Sequence, residues 1–180
     1  MKKQELIEVK VYIDSNLIFD PPKIDNIKQE EAEALKILSE SQRVKFYVSE
    51  KVKKEIKKHK NPKKKDYLLF FYNLIQKIPE ENIIKGGPAL FDTAIFDEAM
   101  FDGGVREDPL FTKLKQIFDK DDAELIFQAE KNNLDYFLTL DKRTILNRLR
   151  EKEDQLKEIG LKVKIVSPSQ LVKELQLNNL

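Results

Sequence analysis

Four carboxylates in this 180-residue sequence stand where ordinary surface acids do not belong. Asp14 ends the stretch VKVYID, in which Val9, Val11 and Ile13 alternate with Lys10, Tyr12 and Asp14, the period of a strand over 9–14. Asp141 follows a second strand-like run, 136–140, in LTLDK. In DKDDAELIFQAEKNN, Asp122 shares a helical face with Ile126 and Ala129, so an acid heads the stripe that should be buried. Glu55 sits mid-way through SEKVKKEIKKHK, beside Ile56 and one turn after Val52, in a helix that is otherwise basic. Each has an ordinary explanation when taken alone: Asp119 or Asp121 would cap a helix, and Glu55 would pair with Lys51 or Lys58. With no cysteine, disulfides and thiolate metal sites are excluded, and the one histidine, His59, lies among lysines and reads as a surface residue. The chemistry left open is that of carboxylate oxygens.

Elements with readable periods surround these acids. A helix is predicted over 29–41, a strand over 44–48, and a helix over 50–59 with Ser49 at its N-cap. Asn61-Pro62 interrupts it, and a helix resumes over 65–77 with the run YLLFFYNLI, which needs a core or a partner to cover it. Its aromatics, Tyr67, Phe70, Phe71 and Tyr72, read first as packing or dimer residues and second as base-stacking ones. Over 79–118 the pattern degrades; glycine pairs bracket a short helix at 93–100, as in an inserted loop-and-helix element outside the central sheet. The expected order then runs helix 109–118, helix 121–132, strand 136–140, helix 142–158, strand 162–166 and a terminal helix capped near 167–169. This alternation predicts one α/β domain over 1–180, a three-layer α/β/α sandwich with a central, mostly parallel sheet, because each parallel connection needs a crossover that can hold a helix. In such sheets functional groups gather at the carboxyl ends of strands, where Asp14 and Asp141 are placed.

Charge and composition bound the partners. Hydrophobic residues make up 41% and charged residues 36%, which suits a thin core under solvated helix faces. The net charge of +1 hides a polarised chain. Nine lysines and His59 oppose one acid between Lys51 and Lys65, whereas eight acids oppose Lys85 and Arg106 between Glu80 and Asp108. A basic run of this kind is either a solvated face or a phosphate-binding one. The lack of cysteine, of an apolar signal-peptide core after MKK and of any membrane-length apolar run predicts a cytoplasmic protein without membrane attachment.

Taken in order, VYIDSN, SEKVKKE, DAELIFQA, LTLDK and the closing KVKIVSPSQLVKEL resemble the PIN-domain family, the PilT N-terminus-like nucleases that include VapC-like toxins. The resemblance covers nearly the whole chain apart from 79–118. It implies a PIN-like sheet that brings three or four carboxylates into an acidic pocket. There Mg2+ or Mn2+ supports phosphodiester hydrolysis, expected on single-stranded or structured RNA, with DNA as the other substrate. Position by position, Asp14, Glu55 and Asp122 match the main metal-site acids, and Asp141 the more variable fourth. Asn16 matches the polar residue after the first acid, Thr139 the hydroxyl before the fourth, and Ser15 stands where threonine is frequent. Asp20 is left out of the site because Pro21 and Pro22 follow it directly. A homodimer and an antitoxin-like protein partner are implied by the toxin-like members, which have no counterpart of 79–118.

Such a reaction needs a nucleophilic hydroxide, neutralised phosphate charge and a stabilised leaving alkoxide, all of which a hard cation on oxygen ligands can supply. Ser15, Asn16 and Thr139 would orient the ligands by hydrogen bonds, and Lys51, Lys54 and Lys58, on the helix of Glu55, would hold backbone phosphates. A haloacid-dehalogenase-type phosphatase would need an acid at position 16 and a glycine beside the late aspartate, where this chain has Asn16 and Leu140. A receiver domain would pair two acids after its first strand. The competing reading from another class is a non-catalytic PIN-like module that binds nucleic acid or protein.

Overall fold

Alternating apolar residues build a sheet buried on both faces. The computed structural model describes residues 8–15, 17, 28–85 and 106–177. In chain order these form β1 (Val9–Ile13), α1 (Gln29–Glu40), β2 (Val44–Val48), α2 (Glu50–Lys57), α3 (Pro62–Leu74), β3 (Gln76–Lys77), β4 (Ile84–Lys85), β5 (Arg106–Glu107), α4 (Pro109–Leu114) and α5 (Lys120–Lys131). There follow β6 (Tyr136–Leu138), a π-helical turn (Lys142–Leu146), α6 (Asn147–Glu151), α7 (Glu153–Ile159), β7 (Lys164–Val166) and α8 (Pro168–Glu174).

Five strands pair in the order β3-β2-β1-β6-β7, every neighbour parallel. Successive side chains point to opposite faces, so β1, β2, β6 and β7 each feed two cores. Val9, Val11, Leu138 and Val166 pack with Ala34 and Leu38 of α1 and Leu171 and Val172 of α8. Tyr12, Phe137 and Ile165 face the other way, into the larger cluster built from α2, α3, α4, α5 and α7. Tyr12 and Phe137 stack there with ring centroids 5.4 Å apart. The result is the expected three-layer α/β/α sandwich.

The order of strands places the site. From β1 the chain moves outward to β2 and β3 on one side, then returns to lay β6 and β7 on the other. The reversal falls between β1 and β6, and at that point connections leave a crevice beyond the carboxyl ends of the strands. Asp14 and Thr139 directly follow those two strand ends.

Several elements differ from their sequence patterns. Gln76–Lys77, expected as helix, is a two-residue edge strand, too short to show a period. The helix before it starts at Pro62 instead of residue 65, because Pro fits the first helical position and the Asn61 side chain accepts from the Lys64 N–H at 3.2 Å. Ser49 sits at the N-cap of α2 as expected, yet its hydroxyl bonds the Tyr12 hydroxyl at 2.7 Å instead of a helix N–H. The expected helix over 142–158 is divided into the π-helical turn, α6 and α7. Within 79–118, β4 and β5 pair antiparallel outside the main sheet, while Phe111, Leu114, Ile117 and Phe118 enter the main core. The helix expected at 93–100 lies outside the described residues.

Candidate functional site

Asp14 leaves β1 with its N–H still bonded to the Leu138 carbonyl at 3.0 Å, so the sheet fixes where its carboxylate stands. The residue is 1% exposed. A carboxylate so buried is tolerable only when hydrogen-bonded. Thr139, fully buried after β6, donates its hydroxyl to Asp14 Oδ2 at 2.5 Å, and Ser15 donates to Oδ1 at 3.3 Å. The Ser15 hydroxyl also reaches Glu55, which α2 delivers to the same edge, and so lies between two acids.

A second pair forms on the other side of Thr139. Its Oγ1 accepts from the Asp141 N–H at 3.0 Å while donating to Asp14. Asp141 caps the π-helical turn by accepting from the Thr144 N–H at 2.7 Å, and the Thr144 hydroxyl donates to Asp122 Oδ2 at 2.8 Å. Three hydroxyls therefore join four acids in one chain of contacts: Glu55, Ser15, Asp14, Thr139, Asp141, Thr144, Asp122. Extra residues in a helical turn, such as the π turn here, often mark functional sites because they re-aim a side chain.

Two of the acids are held in environments that disfavour their charge. Burial pushes the Glu55 carboxyl up; a hydrogen bond from Ser15 and the Lys51 ammonium oppose the shift, and the charges of Asp121 and Asp14 add to it. Burial likewise pushes Asp122 up, opposed by the Thr144 hydrogen bond and Arg148, with Asp141 and Asp119 adding to it. Nearby anions and partial desolvation both favour the neutral acid, and a cation would reverse both effects. Among the described residues, however, no three acidic or histidine side chains converge closely enough to hold a metal ion as they stand.

The lysines expected to contact phosphates are placed differently from one another. Lys51 reaches across to α5, where it pairs with Glu124 and, at 3.1 Å, with Asp121. Burial alone would lower its pKa, but the hydrogen bonds it donates to Glu124 and Asp121, and their charges, raise it. Lys54 pairs with Glu80 at 2.7 Å. Lys58 is exposed at the end of α2. Asn16 lies outside the described residues. Asp119 is the N-cap residue of α5, but its side chain makes no cap hydrogen bond and pairs with Arg148 at 2.9 Å.

Thr144 is the residue that sequence patterns passed over. Its signal was present in LDKRT: an aspartate at an N-cap bonds the N–H three residues on, which brings that residue's own side chain to the same edge. Against models of protein families and against curated proteins the sequence finds no match. Among the described residues no helix is long and apolar enough to cross a membrane.

Proposed function

We propose that this chain is a divalent-metal-dependent nuclease of the PIN-domain kind, acting on RNA. The observation that carries the reading is the hydroxyl-linked series of Glu55, Asp14, Asp141 and Asp122 at the switch point of a parallel sheet. An all-oxygen donor set suits Mg2+ or Mn2+ better than softer metals. Two of its members, Glu55 and Asp122, carry a charge penalty that such a cation would relieve. By donor chemistry the residues fit the ion.

Asp14 and Asp122 would bind the cation directly, with Glu55 beside them and Asp141 at a second position. When bound, the ion would lower the pKa of water and neutralise phosphate charge. Thr139 holds Asp14 in its orientation by donating to it. Ser15 can turn its single proton toward either Asp14 or Glu55. Glu55, whose pKa is raised chiefly by burial, is the acid suited to take a proton from an attacking water. A homodimer and an antitoxin-like partner belong to the same proposal.

The decisive assay incubates the protein and Asp14→Asn with single-stranded RNA and DNA, in manganese, magnesium and chelator. Cleavage by the wild type alone, abolished by chelator, is the expected result, with RNA the better substrate. Cleavage that survives in Asp14→Asn overturns the site. A second reading, a non-catalytic module that binds nucleic acid or protein, draws on the fact that no three described acids converge; it takes over if the wild type neither cleaves nor binds manganese.

A further inference from the structure

The basic run that follows Ser49 divides at Glu55. Before it, Lys51 pairs with Glu124 and Asp121, Lys53 with Glu50 at 3.6 Å and Lys54 with Glu80. After it, Lys57, Lys58, Lys60 and Lys63 are exposed and Lys65 half-exposed, and among the described residues none of the five pairs with a carboxylate. One half of the run is used within the protein, and the other is left for an anion.

The aromatic stretch behind these lysines divides too. Leu68 and Tyr72 are buried, while Tyr67, Phe70, Phe71 and Leu74 remain 53%, 59%, 40% and 67% exposed and are the exposed large hydrophobic side chains of the described residues. Four such residues on one helix make a patch that calls for a ligand. Phe71 is flanked by Tyr67 at 4.6 Å and Phe70 at 5.6 Å between ring centroids, so the three rings form one continuous surface. Tyr67 and Phe71 also line a groove of about 520 Å³ together with Ile13 and Leu138, the residues that immediately precede Asp14 and Thr139. The groove therefore reaches the ends of β1 and β6, while Lys57 and Lys58 stand at the end of α2, the helix that carries Glu55, and Lys63 and Lys65 in the first turns of α3.

We infer that this face of α3, with Lys57, Lys58, Lys60, Lys63 and Lys65, is a binding surface for single-stranded nucleic acid. Unpaired bases lie on Tyr67, Phe70 and Phe71 while the lysines take the phosphates. The inference rests on the nuclease reading and specifies its substrate as unpaired. An apolar protein partner would account for the rings but would leave five adjacent cations unmatched. A duplex would match the cations, but its base faces are stacked inside and cannot meet the rings. A single strand offers both a flat apolar face and a charge at each nucleotide.

The test measures binding of the whole chain in chelator, so that no cleavage intervenes, to labelled oligouridylate, oligodeoxythymidylate and a duplex of equal length over a range of salt. Single strands should bind more tightly than the duplex. Tyr67→Ala combined with Phe71→Ala should weaken binding by roughly 5- to 100-fold at fixed salt and leave the salt slope unchanged. Lys58→Gln combined with Lys63→Gln should instead flatten the slope of log K against log salt by about 0.7 per lysine. Circular dichroism checks that these exposed changes leave the fold intact, and Tyr67→Trp should retain binding. Wild-type affinity in the aromatic variant overturns the surface even if the nuclease assay succeeds. So does a dimer that Phe70→Glu converts to monomer while single strands fail to bind. Ring-dependent binding without cleavage in any metal leaves the surface standing and removes the nuclease reading.

Discussion

Glu55 and Asp122 are the residues at which folding and function pull apart. Each carboxyl is pushed above its ordinary range, chiefly by burial. A group whose folded pKa exceeds its unfolded value binds its proton more tightly in the folded chain. Stability is then undiminished below the unfolded value, falls as pH rises through the interval up to the folded value, and stays reduced above it. Ionised Glu55 and Asp122 thus each destabilise the fold at neutral pH. Glu55→Gln and Asp122→Asn should raise Tm by a few degrees near pH 7 and change it little at about pH 4, below or near the unfolded carboxyl values. Thermal unfolding at the two pH values checks this; a lower Tm near pH 7 would mean that Lys51 and Arg148 outweigh burial. The oddness of both acids was visible in the sequence, since each lay on or beside an apolar helical stripe. Their linkage through Ser15 and Thr144 was not, because a hydroxyl's partner depends on what another element places beside it.

At the scale of elements, the π-helical turn after Asp141 does the joining. Thr144 bonds Asp141 through its N–H and Asp122 through its hydroxyl, so the two contacts can be separated. Thr144→Val removes the hydroxyl and keeps the N–H. Because the Thr144 bond opposes the upward shift of Asp122, its loss should push that carboxyl higher still, and Thr144→Ser should restore it. An NMR titration of the Asp122 side-chain carboxyl carbon reads the effect directly; unchanged titration in the valine variant would sink the assignment. The sequence showed a helix after Asp141 but not its division into a π turn, α6 and α7. No glycine or proline marks those breaks in 142–158. They follow from tertiary contacts, including Arg148, which reaches the Ile117 carbonyl and Asp119 on neighbouring segments.

For the whole molecule, a ligand that binds only the folded chain must stabilise it in proportion to the logarithm of its concentration. Manganese should therefore raise Tm, by about 1.4 kcal/mol of stability for each tenfold increase above its Kd. The rise should be larger near pH 7 than at about pH 5, where protons compete for Glu55 and Asp122. Asp14→Asn should abolish it. A Tm indifferent to manganese, in a protein that still cleaves RNA in manganese, would place the metal elsewhere. The measurement depends on all four acids at once, because α2, α5 and the ends of β1 and β6 each contribute one or guide one to the edge.

The sequence by itself determined the kinds of most elements, the α/β class, Asp14 at its strand end, the misplaced Glu55 and Asp122, and the split between basic and acidic stretches. Asp141, expected directly after a strand over 136–140, instead caps the π-helical turn three residues beyond the end of β6. Periodicity and composition are local properties, and they report which face of an element seeks the core. Only the tertiary structure decided that β1 lies between β2 and β6, that Thr139 meets Asp14 across 125 residues of sequence, and that three hydroxyls connect the acids. It also decided which lysines were spent on ion pairs and which aromatics stayed outside. Those outcomes depend on which elements become neighbours, and that is settled by packing the whole chain at once, with each buried polar group taking the partner that the packing leaves within reach.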